Sequence, residues 1–344
     1  MLQRSPRRAL NEKITEGLKF MRASRACALA LAIGISLCAC ARGGQTPVEK
    51  NGALRVEGNR IVGRSGEPAV LRGMSFFWSQ WMGQYYTTNV VNWLRSDWAC
   101  DVVRVAVGVA PDGVLGHPER EMARAKVVIQ AAIDCGLYVV VDWHAHNAHE
   151  HPDKAIAFFE EIARTYGKKP NIIYETWNEP LDKHDWNTVI KPYHETVVAK
   201  IRAIDPDNVI VLGTQTWSQD VDKASLNPVK GVNLAYTLHY YAATHKESLR
   251  QKARTALSNG VALFVTEWGT CEASGNGKLD EEECRLWFTF MEKNNLSWCN
   301  WSVADKVETS AALRPKASPL GGWQAEELSP SGQFVRAELL RTRR

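Results

Sequence analysis

Two glutamates carry the chemistry this chain can do. Glu179 stands in NIIYETWNEP (171–180), between Asn178 and Pro180, and Glu267 in ALFVTEWGT (262–270), between Thr266 and Trp268. Each closes a short apolar run, where a strand ends and its last side chain projects over a mouth. Paired carboxyls of this kind suit acetal cleavage. One protonates the departing oxygen, and the other attacks the carbon or activates water. Direct attack goes with a separation of about 5–5.5 Å, water attack with about 6.5–9.5 Å. The nucleophile must stay ionised, and Arg104 and the Tyr241 hydroxyl can lower its pKa. The acid must hold a proton, which a drier pocket and a neighbouring anion favour. Glu175, four residues before Glu179, points the same way by strand alternation. It reads as a deeper structural carboxylate needing a partner such as Arg104.

The run DWHAHNAHEH (142–151) holds His144, His146, His149 and His151 and suggests metal. It contains no cysteine, and a catalytic zinc would need a general base and an open position as well. No metal and no cofactor is expected. His144, at a strand end, reads as a donor to a hydroxyl. The other three read as shaping a loop, with His149 and His151 solvated.

Eight apolar runs are available to position these groups: 69–76, 101–108, 137–144, 171–180, 208–217, 232–241, 262–270 and 296–303. Amphipathic stretches such as 120–136 and 193–204 separate them. Runs this apolar belong to parallel strands covered on both faces. Eight uninterrupted βα units predict one closed (β/α)8 barrel, an α/β fold. A hairpin precedes it, LRVEGNRIV (54–62), turning at Gly58-Asn59, and a last helix is expected over 331–340. Six of the eight runs end in functional side chains: His144, Glu179, Trp217, His239 with Tyr241, Glu267 and Trp301. The C-terminal strand ends of such a barrel form its active face. Glu179 and Glu267 close the fourth and seventh runs, which face each other across an eight-stranded barrel. Singly, each glutamate has an ordinary explanation, a residue before proline or a rim ion pair. With the aromatic and histidine partners those explanations lose force.

The bulk composition agrees. The 344 residues are 45% hydrophobic and 23% charged, enough for a large core. Net charge is +4, concentrated in the first 50 residues, so nothing points to nucleic acid. Thirteen tryptophans suit either a large core or sugar faces. Residues 26–41 are apolar or small behind Arg22 and Arg25, too short for a span that takes roughly 20 residues. Residues 1–40 read as a signal with a lipobox-like end at Cys40, with Met21 an alternative start; ordinary cleavage without lipid is the competing reading. Residues 41–51 read as a tether and 52–344 as the catalytic barrel. Five cysteines remain: Cys100, Cys135, Cys271, Cys284 and Cys299. They show no disulfide framework and no metal-pair spacing.

At these residues the chain resembles glycoside hydrolase family 5 and, within it, bacterial endoglucanases. The resemblance rests on LRGMSFFWSQW (71–81), CDVVRVAVG (100–108), VDWHAHNAHEH (141–151), NIIYETWNEP (171–180), VLGTQTWSQDV (211–221), YTLHYYAATH (236–245), FVTEWGTCEASGNG (264–277) and SWCNWSVADK (297–306). It implies retention and a β-1,4-linked glucan, with Glu179 as proton donor and Glu267 as nucleophile. It makes Arg104, His144, Asn178, His239, Tyr241 and Trp301 the shell of the −1 sugar, Asn178 meeting its 2-hydroxyl. Trp81 and Trp217 become cleft aromatics, and Lys306 a contact on the non-reducing side. One departure is Phe76-Phe77-Trp78 where some relatives carry histidine, which puts one sugar contact in doubt. The signal and its lipobox-like end imply a bacterial protein that is secreted or held as an outer-membrane or periplasmic lipoprotein. A monomer is expected, touching membrane only through lipid on Cys40. Open alternatives are a mannanase, xylanase or mixed-linkage glucanase, or a silent glycan-binding barrel.

Overall fold

The computed structural model describes residues 44–342, so the expectations for the signal and Cys40 lie outside the described residues. The described chain opens with α1 (Pro47–Asn51), which Thr46 and Glu49 close as a capping box. Its Val48 amide donates to Gly136 O, and a Cβ on Gly136 would meet Thr46 Oγ1 at 2.4 Å. The end of the expected tether is thus a docked helical turn. The hairpin follows as β1 (Arg55–Glu57) and β2 (Arg60–Val62) around Gly58-Asn59.

The barrel strands are β3 (Arg72–Phe76), β4 (Val102–Gly108), β5 (Tyr138–His144), β6 (Ile172–Glu175), β7 (Ile210–Leu212), β8 (Leu234–Tyr241), β9 (Ala262–Gly269) and β10 (Ser297–Val303). They are parallel, each beside the next, and β10 pairs with β3 to close the ring. The helices that cover them include α2 (Thr88–Ser96), α3 (Pro118–Asp134), α4 (Pro152–Tyr166), α5 (Lys191–Arg202), α6 (Val221–Leu226), α7 (Glu247–Ser258), α8 (Glu281–Lys293) and α9 (Pro330–Arg341). Their inner faces follow helical spacing: α3 buries Ala125, Val128, Ile129 and Ala132.

Inward residues stack in layers. The lower layer is apolar, with Val102, Tyr138, Val140, Ile173, Val211 and Phe264 in one cluster; Leu54 and Ile61 join it, so the hairpin closes that end. One step up, the inward positions become Arg104, Asp142, Glu175 and Thr237, all fully buried. The change from plug to chemistry therefore happens within single strands of period two.

Strand β9 breaks that period. Thr237 pairs with Phe264 and His239 with Glu267; on the other side Trp298 pairs with Val265 and Asn300 with Trp268. Both neighbours skip one residue of β9, which defines a bulge before Glu267. Such a bulge re-aims a side chain. Here it turns the adjacent Thr266 and Glu267 both toward the barrel axis, which strict alternation forbids.

Candidate active site

A cleft of about 700 Å³ lies over the C-terminal strand ends. Glu179, His144, His239, Tyr241, Glu267, Trp301, Trp81, Trp217 and Lys306 line it. Arg104 and Asn178 lie buried beneath. The structure thus brings together every site residue read from the sequence. Single oxygens of Glu179 and Glu267 and a ring nitrogen of His239 all lie within 4.8 Å of one another.

Arg104 organises the floor. Its Nη1 is 3.0 Å from Glu267 Oε2, its Nε 2.7 Å from Glu175 Oε2 and its Nη2 2.9 Å from Asp142 Oδ2. Burial lowers the pKa of the guanidinium, but the three carboxylates outweigh burial and raise it well above its ordinary value. Glu175 has the partner expected of it. Its carboxyl, pushed up by burial, is brought below its ordinary value chiefly by Arg104. Arg104 Nη2 also donates to Asn178 Oδ1 at 2.6 Å. That fixes the Asn178 amide with its NH2 toward His144 Nε2, 3.5 Å away. His144 is buried, and burial and Arg104 hold its pKa well below normal, so the ring is neutral. Its Nδ1 faces Asp142 Oδ2 at 2.5 Å. Nε2 therefore faces the cleft as an acceptor, whereas the sequence reading made His144 a donor.

Glu267 is gripped on both oxygens. Tyr241 Oη donates to Oε1 at 2.9 Å. A Cβ on Gly269 would strike the Tyr241 ring at 2.2 Å, so the glycine after Trp268 makes room for this donor. Burial, then repulsion from Glu179, pushes the Glu267 carboxyl up; His239, Arg104 and Tyr241 oppose that.

Glu179 sits between two histidines. His239 Nδ1 is 2.9 Å from Oε1, and His146 Nε2 is 3.3 Å from Oε2. Burial raises its pKa, but the bonds from His146 and His239 outweigh burial and bring it down to about 2. His239 is lowered by burial, yet the neighbouring carboxylates of Glu175 and Glu179 lift it to about 9. In this structure, then, Glu179 is the anion of an ion pair with His239, not the protonated acid expected from the sequence. His239 also has both ring nitrogens engaged, the second with Thr266 Oγ1 at 2.9 Å.

Aromatic walls frame the cleft. Trp301 stacks on His144, centroids 5.2 Å apart at 3°. Trp81 and Trp217 are 51% and 39% exposed, while Trp98, Trp143, Trp177, Trp268 and Trp287 fill the core, so most of the indole surface is structural. Trp217 rides a left-handed turn, with φ of 59°, 51° and 58° at Thr216, Trp217 and Ser218. The Trp217 amide donates to Pro180 O, and Ser218 Oγ to Asn178 O. One strained turn therefore presents the indole and clamps the backbone either side of Glu179. Lys306 lies 2.5 Å from Glu308 Oε2 and 5.3 Å above the Phe77 ring.

Sequence reasoning missed His146, His245, Phe77, Trp78 and Glu308, which also line the cleft. For His146 a signal existed: it stands two residues after His144, hence on the same face. Phe77 and Trp78 occupy the departure from the family pattern, and Trp78 meets the His144 ring edge-on at 4.1 Å. His149 and His151 are half-buried rather than solvated, because the loop folds back and stacks His149 on Trp177 at 5.3 Å.

A closed βα barrel carrying convergent carboxylates over its C-terminal mouth has the architecture of the barrel glycoside hydrolases. The chain belongs to glycosyl hydrolase family 5: the cellulase model of that family matches residues 62–307. It is 47% identical over 309 residues to endoglucanase Z of Dickeya dadantii, covering 88% of this chain and 69% of that protein. To an endoglucanase of Clostridium saccharobutylicum it is 43% identical over 291 residues, 84% of this chain and 65% of that one. The chain thus spans about two thirds of the length of these curated relatives. A solved structure from Cytophaga hutchinsonii superposes with a TM-score of 0.86 at 53% identity, covering 87% of this chain and 97% of the other.

Proposed function

We propose that this chain is a retaining endo-β-1,4-glucanase that cuts internal bonds of cellulose or related β-glucans by double displacement. The observation that carries the reading is the Glu179–Glu267 pair, which brings an oxygen of each within 4.8 Å across an open cleft, in keeping with the closer spacing that goes with direct attack rather than the wider one that goes with water attack. Glu267, held by Arg104 and Tyr241, attacks the anomeric carbon while Glu179 protonates the leaving oxygen. The sugar is then an ester of Glu267. Glu179 next takes a proton from water as that water attacks and Glu267 departs. Asn178, fixed by Arg104, presents an NH to the 2-hydroxyl. His144 Nε2 accepts from a neighbouring hydroxyl, and Trp301 offers a face to the ring. Trp81, Trp217 and Lys306 extend the cleft for further sugars. The glucan preference leans on the relatives, which are endoglucanases. Export behind residues 1–40, lipid on Cys40 and action as a monomer complete the proposal. Among the described residues no helix is long and apolar enough to cross a membrane. The test is a product profile on carboxymethyl cellulose, mannan, xylan and mixed-linkage glucan. Rapid viscosity loss on the cellulose derivative with little release from mannan or xylan is expected; preference for mannan or xylan overturns the specificity.

A further inference from the structure

The hydrogen bonds around His239 determine where its protons lie. Arg104 Nε is 2.7 Å from Glu175 Oε2, so Glu175 is an ionised acceptor. Thr266 Oγ1, 2.6 Å from Glu175 Oε1, commits its one hydrogen there. The same oxygen lies 2.9 Å from His239 Nε2 and must accept from it. Nε2 therefore carries hydrogen, and in the neutral ring Nδ1 is a bare lone pair, 2.9 Å from Glu179 Oε1. Two lone pairs repel at that distance, so a proton belongs between them, on the ring or on the carboxyl.

We propose that Glu179 and His239 share one catalytic proton, stored on His239 Nδ1 in the open cleft and passed to Glu179 Oε1 when a glycan covers the pair. This rests on the acid/base reading of Glu179. The transfer breaks Nδ1–H and forms Oε1–H; imidazolium and carboxylate become imidazole and carboxylic acid, with net charge unchanged. Water solvates the ion pair and favours it; excluding water favours the neutral form. The raised affinity of His239 and lowered affinity of Glu179 for a proton match the stored state.

Once Glu179 has protonated the glycosidic oxygen, its carboxylate faces the bare Nδ1. Repulsion there strengthens it as the base that next takes a proton from water. His239 is thus a positioning residue acting through Glu179. The other charged or titratable groups facing the pair are His146 at Glu179 Oε2, Glu175 3.8 Å from His239 Nε2, Glu267 on β9, and Tyr241 and His245 from β8 and its loop. Arg104 lies beyond the carboxylates.

The direct test is nitrogen NMR of the whole enzyme with 15N-labelled histidine, assigned against His239→Asn. Both His239 nitrogens should be protonated in the free enzyme at neutral pH. On binding a sulfur-linked, uncleavable cello-oligosaccharide, Nδ1 should lose its proton while Nε2 keeps it. An unchanged Nδ1 overturns the proposal, as does loss of hydrogen from Nε2. Kinetics supply a second arm. In His239→Asn the alkaline limb of kcat/KM on unactivated glycan should fall by about one pH unit or more, because Glu179 alone then holds the proton. Glycosylation by an activated aryl glycoside should keep its alkaline limb. If His239→Asn does not fold, Thr266→Val should move the limb the same way. A limb that stays put, or that follows His146→Asn instead, contradicts proton sharing. A wild type inactive on every glycan would sink the functional reading, while the NMR arm, which needs no turnover, would still decide the shared proton.

Discussion

Tyr241 Oη donates to Glu267 Oε1 across 2.9 Å, from a ring that lies where any side chain on Gly269 would have to go. The hydroxyl stays protonated, since burial and then the Glu267 charge push its pKa well above the ordinary value. Tyr241→Phe removes a donor to the ionised carboxylate, a loss of about 1–2 kcal/mol and hence roughly 5–30-fold in kcat/KM. Without the donor the Glu267 pKa rises, so the acidic limb of kcat/KM moves to higher pH. An unchanged rate with an unmoved limb would show that this bond does no work.

Glu179→Ala separates acid catalysis from attack. Natural glycans, with poor leaving groups, should no longer turn over. Aryl glycosides whose leaving groups need no proton should still glycosylate Glu267. Azide should then restore turnover by attacking the intermediate without a base. Equal loss on both substrate types, with no azide rescue, assigns the role to another residue.

Arg104→Met tests the floor. It leaves Asp142, Glu175 and Glu267 buried without their cation, and removing one partner of such a cluster costs about 3–5 kcal/mol. The pH dependence has a definite sign. In the wild type Arg104 is the main force lowering the Glu175 pKa, so that group stabilises the fold above its unfolded pKa, and the stabilisation fades as pH falls through the folded one. In the variant the folded pKa lies above the unfolded one, so stability drops as pH rises past the unfolded value. The melting deficit should be largest near neutrality and shrink toward pH of about 4. A deficit that does not vary with pH contradicts the charge account.

The barrel was legible because β-branched runs buried on both faces mark parallel strands, and the floor because a carboxyl inside so apolar a run, Glu175, needs a buried partner such as Arg104. The strand ends were less so. The fourth run extends to residue 180, but β6 stops at Glu175, and the fifth extends to 217, but β7 stops at Leu212. The remainder of each run, TWNEP (176–180) and GTQTW (213–217), lies outside the strand and forms the mouth that carries Asn178, Glu179 and Trp217. The bulge in β9 left no sequence signal, since one extra residue in a β-branched run looks like strand. The turn at Pro47–Asn51 did leave one, the Thr46-x-x-Glu49 box. The charge state of Glu179 was out of reach, because it depends on His146 from the loop after β5 and His239 from β8.

Trp81 and Trp217 are half-exposed rings on the cleft wall. Replacing either with Ala should raise KM for long oligosaccharides roughly fivefold, on the order of 1 kcal/mol of lost binding, with kcat on short activated glycosides and the melting temperature near wild type. A fall in kcat with unchanged KM would place the ring against the reacting sugar instead.

The central claim is that Glu267 attacks the anomeric carbon directly. A 2-deoxy-2-fluoro cellobioside with a good leaving group tests it, since the fluorine slows both steps while the leaving group spares the first. Mass spectrometry of the digested protein should find one added glycosyl unit on Glu267, in the peptide carrying ALFVTEWGT. Proton NMR of the first product from a natural glycan should show the β-anomer before mutarotation. A label on Glu175 or Glu179, or an α-anomer as first product, would contradict the account.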